Sequence, residues 1–226
     1  MPSFRASRVA MILLLGVVLT AGAGAKTIRV SLDFAAPTLH AADAGGVFVE
    51  APGCLTSNQP GLPRLPMRGA TILLPPGEAV AAVRATRVGV HALDGSYPVA
   101  AAETPRPISA PGPFAATAPD AAVYGSDALY PEAPARLVTV QQGWGHGLAF
   151  LRVWPVSYRP VSGALDWCER VEIEVETAPQ AGVDPGHLPN LRHDAKVIAR
   201  LTDRVLNPGD LALYEGAAAA PLAAPS

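Results

Sequence analysis

The sequence predicts an all-β domain, folded as two packed sheets in a sandwich-like arrangement with one helix near the C-terminal end. Apolar and polar residues alternate with a period of two in several short stretches, which is the pattern of half-buried strands. Prolines and glycines, 24 and 21 of the 226 residues, separate these stretches. Eight to ten short strands followed by a single helix are typical of a β-sandwich or a related two-sheet fold.

The strand that ends near residue 177 gives the clearest periodic signal. Its odd-numbered positions are mainly apolar and its even-numbered positions are mainly polar, so one face is expected to pack and the other to contact water. The apolar members are Leu165, Trp167, Val171, Ile173 and Val175. The preceding stretch, residues 148–158, is apolar on both parities and predicts a central strand covered on both faces. Turn residues at 159–163 join the two stretches into a predicted hairpin.

Five further strands are predicted along the chain. They cover residues 27–33, 46–50, 70–74, 79–89 and 137–142. The fourth of these stretches is compatible with a strand or a helix, and its β-branched valines favour the strand. Residues 97–120 contain six prolines and no periodicity, which predicts an extended surface crossing or a mobile loop.

The character of the sequence changes after Thr177. Residues 178–214 are predicted to hold a linker and one helix, over residues 191–206, for which Asn190 is the expected N-cap. The apolar stripe of this helix contains Leu191, Ile198, Leu201 and Val205. Since no second helix is predicted, the helix is expected to dock on the sheet. Alanine and proline dominate residues 215–226, which predicts a disordered tail.

The first 25 residues have the pattern of a secretory signal peptide. Arg5 and Arg8 precede an apolar run over residues 9–19, and small residues predict cleavage between Ala25 and Lys26. The alternative is a membrane anchor, which is disfavoured because the apolar run is short for a bilayer. The chain is therefore expected to be secreted, periplasmic or at the cell surface, with no membrane attachment after cleavage.

The two cysteines, Cys54 and Cys168, leave two alternatives open. Export permits a disulfide, and a bridge would close a loop of about 115 residues, worth about 4 kcal/mol in the chain-entropy description. Two free thiols are the other alternative. Cys168 falls on the polar parity of its strand, so its sulfur is expected to be accessible. Neither cysteine has a histidine in an obvious base position, so neither is predicted to be catalytic.

No constellation of catalytic or metal-binding residues is found in the sequence. The formal charge is −2 and the pI is near 6.2, and no cluster of basic residues suggests a nucleic-acid surface. The glycine-rich residues 143–147 precede a strand rather than a helix, which indicates a turn and not a phosphate-binding loop. The five histidines lack metal-ligand spacing and are expected at the surface. No catalytic residue, metal or cofactor is predicted, and the residues alone indicate a non-catalytic exported β-domain.

Four motifs in one order resemble the propeptide domain of gingipain-type cysteine peptidases, the clostripain-like caspase-fold family. The first is Pro-Gly-Leu-Pro-Arg-Leu-Pro at residues 60–66, and the second is a short apolar strand closed by Pro-Pro-Gly at 72–77. The third is Tyr-Gly-Ser-Asp followed by Leu-Tyr-Pro, at 124–131. The fourth is Trp-Pro-Val-Ser-Tyr-Arg-Pro at 154–160 with the alternating strand after it. The resemblance covers about residues 26–177.

The resemblance implies an all-β, sandwich-like domain that lies between a signal peptide and a peptidase domain. Such a domain assists the folding of the peptidase and keeps it latent until it is cleaved away. The expected partner is a gingipain-type cysteine peptidase domain, in cis in a longer protein or in trans. In a latent enzyme of this type a basic side chain can enter the specificity pocket. Arg106 and Arg136, within residues 97–136, are the candidates for that inhibitory role.

The peptidase domain expected after the propeptide is not among the 226 residues, so this chain alone is not predicted to be an enzyme. Three alternatives remain: an inhibitor or chaperone acting in trans, a fragment of a split or truncated gene, or an exported β-sandwich module reused for binding or adhesion. A binding module is expected to expose an aromatic platform. Trp154 and Trp167 are expected in the core, which leaves Trp144.

Overall fold

The computed structural model describes residues 26–42, 46–105, 107, 109 and 116–219. The predicted signal peptide, with Ala25 at its cleavage site, lies outside the described residues. So do Arg106, one of the two inhibitory candidates, and residues 220–226 of the predicted tail.

The described chain is an all-β fold with few helices, which confirms the predicted fold class. Its strands are β1 (Lys26–Asp33), β2 (Thr38–Ala41), β3 (Val47–Glu50), β4 (Leu55–Thr56), β5 (Pro66–Leu73), β6 (Glu78–Leu93), β7 (Ala135–Gly143), β8 (His146–Val153), β9 (Val156–Arg159), β10 (Ala164–Pro179), β11 (His187–Leu188) and β12 (Ala218–Ala219). Its helices are α1 (Ala121–Tyr124), α2 (Ala195–Thr202) and a 3₁₀ helix (Pro208–Tyr214). Among these helices none is long and apolar enough to cross a membrane.

Two antiparallel sheets form the body of the molecule. Sheet one has the order β1-β10-β6, and β9 also pairs with β10; sheet two has the order β4-β5-β8-β7. β2 and β3 form a separate antiparallel pair, and β11 and β12 form a short parallel pair. The stretch at 79–89, for which a strand was favoured over a helix, lies within the 16-residue strand β6.

The core between the sheets is built from the inward-facing side chains of both. Sheet one contributes Ile28, Leu32, Val171, Ile173 and Val175, and sheet two contributes Ala70, Ile72, Ala149, Leu151 and Val153. Val171, Ile173 and Val175 of β10 are thus buried as the alternation predicts. Because burying one large aliphatic side chain stabilises a fold by about 1.5–3 kcal/mol, this layer holds the two sheets together.

β8 is central in sheet two and covered on both faces, as predicted. However, the prediction of one continuous strand over residues 148–158 is wrong, because β8 ends at Val153 and the chain then crosses to sheet one. Only β9 forms the hairpin with β10, with Arg159 opposite Ala164. A proline has no N–H for a ladder hydrogen bond, so Pro155 separates the two strands at the crossing.

Cys168 is buried, although its place on the polar parity of β10 predicted an accessible sulfur. Its exposed fraction is 0%, and its side chain packs in the core between the sheets. The alternation of β10 breaks locally where Glu169 lies against Gly89 of β6, whose φ is +64°. Cys54 and Cys168 are not joined by a disulfide in this structure, and burial raises the pKa of each thiol.

The C-terminal segment, defined here as residues 187–219, packs on the outer face of sheet two. Its helix α2 begins four residues later than predicted, because the N-cap is Asp194 and not Asn190. The Asp194 carboxylate accepts the backbone N–H groups of Lys196 (3.1 Å) and Val197 (3.2 Å). Asn190 instead has a φ of +54° and belongs to the turn that leads into the helix.

The helix docks on the sheet as expected, and a 3₁₀ helix that the sequence did not predict docks beside it. The buried side chains of this segment are Leu188, Leu191, Val197, Leu201, Val205, Leu211 and Tyr214, which pack with Leu73 and Leu148 of sheet two. The Asn207 side chain accepts the N–H of Leu73 and donates to its carbonyl, both at 2.8 Å. β12 lies inside the predicted disordered tail, so the ordered chain extends further than predicted.

Candidate functional site

The proline-rich motif at residues 60–66 supports the predicted inhibitory segment. We call it the seat, because it forms hydrogen bonds with Ala102 and Asp120, which lie on either side of Arg106 in the sequence. Gly61 donates its N–H to the carbonyl of Ala102 (2.8 Å), and Ala102 donates its N–H to the carbonyl of Leu62 (2.8 Å). On the other side of the segment, Asp120 donates its N–H to the carbonyl of Gly61 (2.9 Å). Gly61 has a φ of +78°, and an added Cβ would lie 3.2 Å from a backbone oxygen, which explains the glycine here.

Three hydrogen bonds join Glu103 and Thr104, which follow Ala102, to Thr117, which precedes Asp120. Thr104 donates its N–H to the hydroxyl of Thr117 (2.8 Å), and the two hydroxyls lie 3.0 Å apart. Thr117 donates its N–H to the Glu103 carboxylate (2.9 Å). The entry and exit of the segment that contains Arg106 are therefore fixed side by side. The inhibitory role of Arg106 itself stays a prediction.

The Tyr-Gly-Ser-Asp motif that follows ties the segment to the hairpin of β9 and β10. Asp120 caps α1 by accepting the N–H of Ala122 (2.8 Å). The Tyr124 hydroxyl donates to the carbonyl of Val99 (3.0 Å). Asp127 accepts both the N–H (2.9 Å) and the hydroxyl (2.8 Å) of Ser162, and these bonds lower the pKa of its carboxyl.

Arg136 lies in β7 and not in a loop. The predicted loop position, on which its choice as an inhibitory candidate was based, is therefore wrong. Its guanidinium carbon is 6.0 Å from the centroid of the Trp154 ring. Both side chains line a cavity of about 410 Å³, to which Tyr130 and Leu62 also contribute. The cavity therefore adjoins the 60–66 seat.

Tyr130 lies near charges of both signs. Burial and, to a smaller extent, the charge of Asp120 raise the pKa of its phenol, and the positive charges of Arg136 and Arg152 oppose that rise. Arg152 of β8 is the cross-strand partner of Arg136 in the register of sheet two. The two arginines are therefore direct neighbours across the two strands, which their separation in the sequence did not indicate.

A second polar cluster lies where the C-terminal segment meets the turn between β7 and β8. His146 is fully buried and, as the Nδ1–H tautomer, donates to the carbonyl of Trp144 (3.0 Å). Its Nε2 lies 3.1 Å from Nδ1 of His193, which donates to it in this arrangement. The Tyr214 ring packs 4.3 Å from the His146 ring, and burial lowers the pKa of His146.

The prediction of a turn at residues 143–147 is confirmed, but the burial of His146 was missed. The signal available in the sequence was the glycine density around it. Gly145 has a φ of +78°, and an added Cβ would lie 2.4 Å from the Cα of Leu191. The glycines thus allow the C-terminal segment to approach the turn closely, and that approach covers the histidine.

The remaining candidates are not brought into a common site. Within the described ranges, no group of three or more His, Cys, Asp or Glu side chains could hold a metal ion. Trp154 is buried, as expected, whereas Trp167 is half-buried and stacks on His91 with ring centroids 4.9 Å apart. Trp144, which was expected to be free, is half-buried against the C-terminal segment, with the Arg200 guanidinium carbon 5.9 Å from its ring centroid.

Comparison with known proteins finds similar folds among solved structures. No protein-family model matches this sequence, and no curated protein matches it. A structure on the zymogenic latency of gingipain K from Porphyromonas gingivalis is similar with a TM-score of 0.55 and 21% identity, over 68% of this chain and 88% of that one. A complex of the pro- and mature domains of RgpB, from the same organism, is similar with a TM-score of 0.56 and 13% identity, over 81% of this chain and 92% of that one.

At these identities the likeness is one of fold. The described chain has a gingipain propeptide-like fold, which confirms the resemblance seen in its motifs. The structure also gives those motifs physical roles, since residues 60–66 seat the neighbouring segment and Asp127 holds the β9–β10 turn.

Proposed function

We propose that this chain is an exported, propeptide-like domain that assists the folding of a gingipain-type cysteine peptidase and keeps it latent. The observation that carries the proposal is the agreement in fold over 88% and 92% of the two gingipain chains. The RgpB structure is a complex of pro- and mature domains, which supports a peptidase domain as the partner. In this role the chain binds a peptidase and performs no catalysis of its own.

Latency follows from a rigid body that presents one segment to the substrate cleft. The ends of that segment are hydrogen-bonded to each other at Thr104 and Thr117 and are seated on Gly61. Fixed ends lose less conformational entropy on binding. We assign Arg106, within the segment, as the basic side chain that enters the specificity pocket. Where both domains share one chain, linkage gives the segment a high effective concentration at the cleft.

Export through the N-terminal signal peptide is part of the proposal. Lys26, directly after the predicted cleavage site, is the first residue of β1 and lies opposite Thr177 of β10. Its ammonium group forms an ion pair with Glu78 (2.9 Å). Cleavage after Ala25 therefore leaves the edge strand of sheet one intact, in keeping with a secreted, periplasmic or cell-surface domain.

The second function class, an exported binding or adhesion module, is less well supported. It requires an exposed aromatic platform, and Trp144 was its candidate. That ring is half-buried and packs against the C-terminal segment under Arg200, so it contributes to the fold.

Inhibition assays with single-arginine variants test the proposal. Residues 26–226 are purified as wild type, Arg106→Ala and Arg136→Ala, and are titrated against the RgpB mature domain and against cysteine endopeptidases secreted by the source organism. We expect the wild type to inhibit and Arg106→Ala to lose most of that inhibition. If neither substitution changes inhibition, the inhibitory-arginine assignment is wrong. A reading frame for a caspase-like domain downstream of codon 226 would identify the partner peptidase.

A further inference from the structure

The outer face of sheet two carries two arginines directly opposite each other. Arg136 of β7 and Arg152 of β8 are partners in the antiparallel register. Opposed side chains on neighbouring strands have their Cβ atoms about 4.5–5.5 Å apart, and like charges at that separation destabilise a sheet. Within the described part of the chain, no carboxylate forms an ion pair or a hydrogen bond with either arginine.

This arrangement differs from the other cross-strand arginines of the sandwich. In sheet one, Arg29 faces Glu174 (2.7 Å) and Arg170 faces Asp33 (2.6 Å), each in register with its partner. Arg29 and Arg170 thus each face a carboxylate in the register of sheet one. Arg136 and Arg152 face each other instead in the register of sheet two.

The space beside the pair is open on both sides. Gly69 of β5 is the other cross-strand neighbour of Arg152, and a Cβ added there would meet no atom within 4 Å. On the far side, Arg136 borders the cavity of about 410 Å³ whose walls include Trp154 and Tyr130. Glu132 lines the same cavity without forming an ion pair with either arginine. The surface combines two adjacent cations with an aromatic-walled cavity.

We propose that Arg136 and Arg152 form a docking surface for an acidic, extended peptide segment of a protein partner. Two carboxylates of the segment bind the two guanidinium groups, for which arginine is suited by its planar, bidentate geometry. A neighbouring apolar side chain of the segment enters the cavity against Trp154. The bound carboxylates remove the repulsion between the arginines, so binding stabilises the sheet.

This surface gives Arg136 a role different from insertion into a specificity pocket. Leu62 belongs both to the cavity wall and to the seat at residues 60–66. Its carbonyl accepts the N–H of Ala102, which precedes the segment that contains Arg106. A partner bound at that segment can therefore reach the arginine pair. The identification of the acidic segment as part of a peptidase rests on the proposed function, whereas the docking surface itself rests on the arginine pair.

Titration of the purified chain with a tetraglutamate peptide tests the surface without any peptidase. Calorimetry at low salt is expected to detect binding that weakens as salt is added. The loss of one charge-assisted contact in Arg136→Gln or Arg152→Gln is expected to weaken binding about tenfold or more. Arg29→Gln, on the outer face of sheet one, is the matched control and is expected to bind like the wild type. A tetralysine peptide is expected not to bind.

A carboxylate placed inside the surface gives an independent readout. Gly69→Glu introduces one beside Arg152 at a position with ordinary backbone geometry and free space, so we expect a higher Tm and weaker tetraglutamate binding. The proposal is overturned if the wild type does not bind tetraglutamate, or if the Arg136→Gln/Arg152→Gln double variant binds as well as the wild type. Failure of peptidase inhibition with retained tetraglutamate binding would instead count against the proposed function alone.

Discussion

The arginines on the outer faces of the two sheets have different cross-strand neighbours. On sheet one, Arg29, Arg84 and Arg170 each form an ion pair with a carboxylate of the same sheet. On sheet two, the C-terminal segment covers the end of the outer face that holds Leu73 and Leu148. Arg136 and Arg152 face each other near the opposite end, where no carboxylate of the described residues pairs with them.

The difference indicates which side of the sandwich meets other structures. A face whose charges are matched within the sheet needs only water as its neighbour. Sheet two, by contrast, is completed partly by the chain's own residues 187–219 and, in our proposal, partly by an acidic partner. The predictions below begin with the covered end of sheet two, where the largest effect is expected.

Leu201→Ala should produce the largest loss of stability. Leu201 is fully buried where α2 packs on sheet two, and removal of a buried leucine side chain costs about 2–5 kcal/mol. Urea unfolding measures the change. The control is Leu213→Ala in the same segment, because Leu213 is 48% exposed and should change stability by less than about 0.5 kcal/mol. Equal effects of the two substitutions would mean that the C-terminal segment is not part of the cooperative fold.

Acid should loosen the same contact through His146, an effect of intermediate size. Its pKa is lowered from 6.5 by burial, so the unfolded state binds the proton more readily than the folded state. The stabilising contribution is therefore complete above pH 6.5 and is lost as the pH falls through the lowered pKa. Protonation of Nε2 also removes the acceptor for His193.

Urea midpoints measured across this pH range check the role of His146. We expect His146→Gln to flatten the fall in stability on acidification. An unchanged slope in His146→Gln would assign the acid sensitivity to other groups.

The smallest effects should come from the arginines, and they should have opposite signs on the two faces. Arg84→Gln removes an exposed ion pair with Glu176, so a slight loss of thermal stability is expected that disappears at high salt. Arg136→Gln removes a like-charge contact and should slightly raise the Tm at low salt. Differential scanning calorimetry at two salt concentrations decides the question, and shifts of the same sign would remove the contrast between the faces.

Local patterns in the sequence predicted the strands well because burial on one face leaves a period of two. The odd-numbered residues of β10 and the two apolar parities of β8 placed these strands correctly. The end of β8 was misplaced even though Pro155 marked it, because the apolar residues on both sides of the proline continued the pattern. The helix start was misplaced because Asn190 and Asp194 are both good N-cap residues, and packing of the segment selected the second.

The candidate sites depend on contacts between distant parts of the chain, which a local pattern does not record. Arg136 and Arg152 are opposed only because β7 and β8 pair in one register. His146 is buried only because Leu191 approaches Gly145. The burial of Cys168 depends on an irregularity opposite Gly89 in a different strand. The four motifs that resemble those of gingipain propeptides were more informative, because they lie at turns and loops where such contacts are made.

Titration of an active gingipain-type peptidase with the purified wild-type chain tests the proposed latency function most directly. The hydrolysis of a peptide substrate is followed while residues 26–226 are added, with the RgpB mature domain and the secreted cysteine endopeptidases of the source organism as targets. We predict that at least one peptidase loses its activity in proportion to the chain added and regains it when the chain is digested. Unchanged hydrolysis by every one of these peptidases at a large molar excess of folded chain would contradict a role in latency.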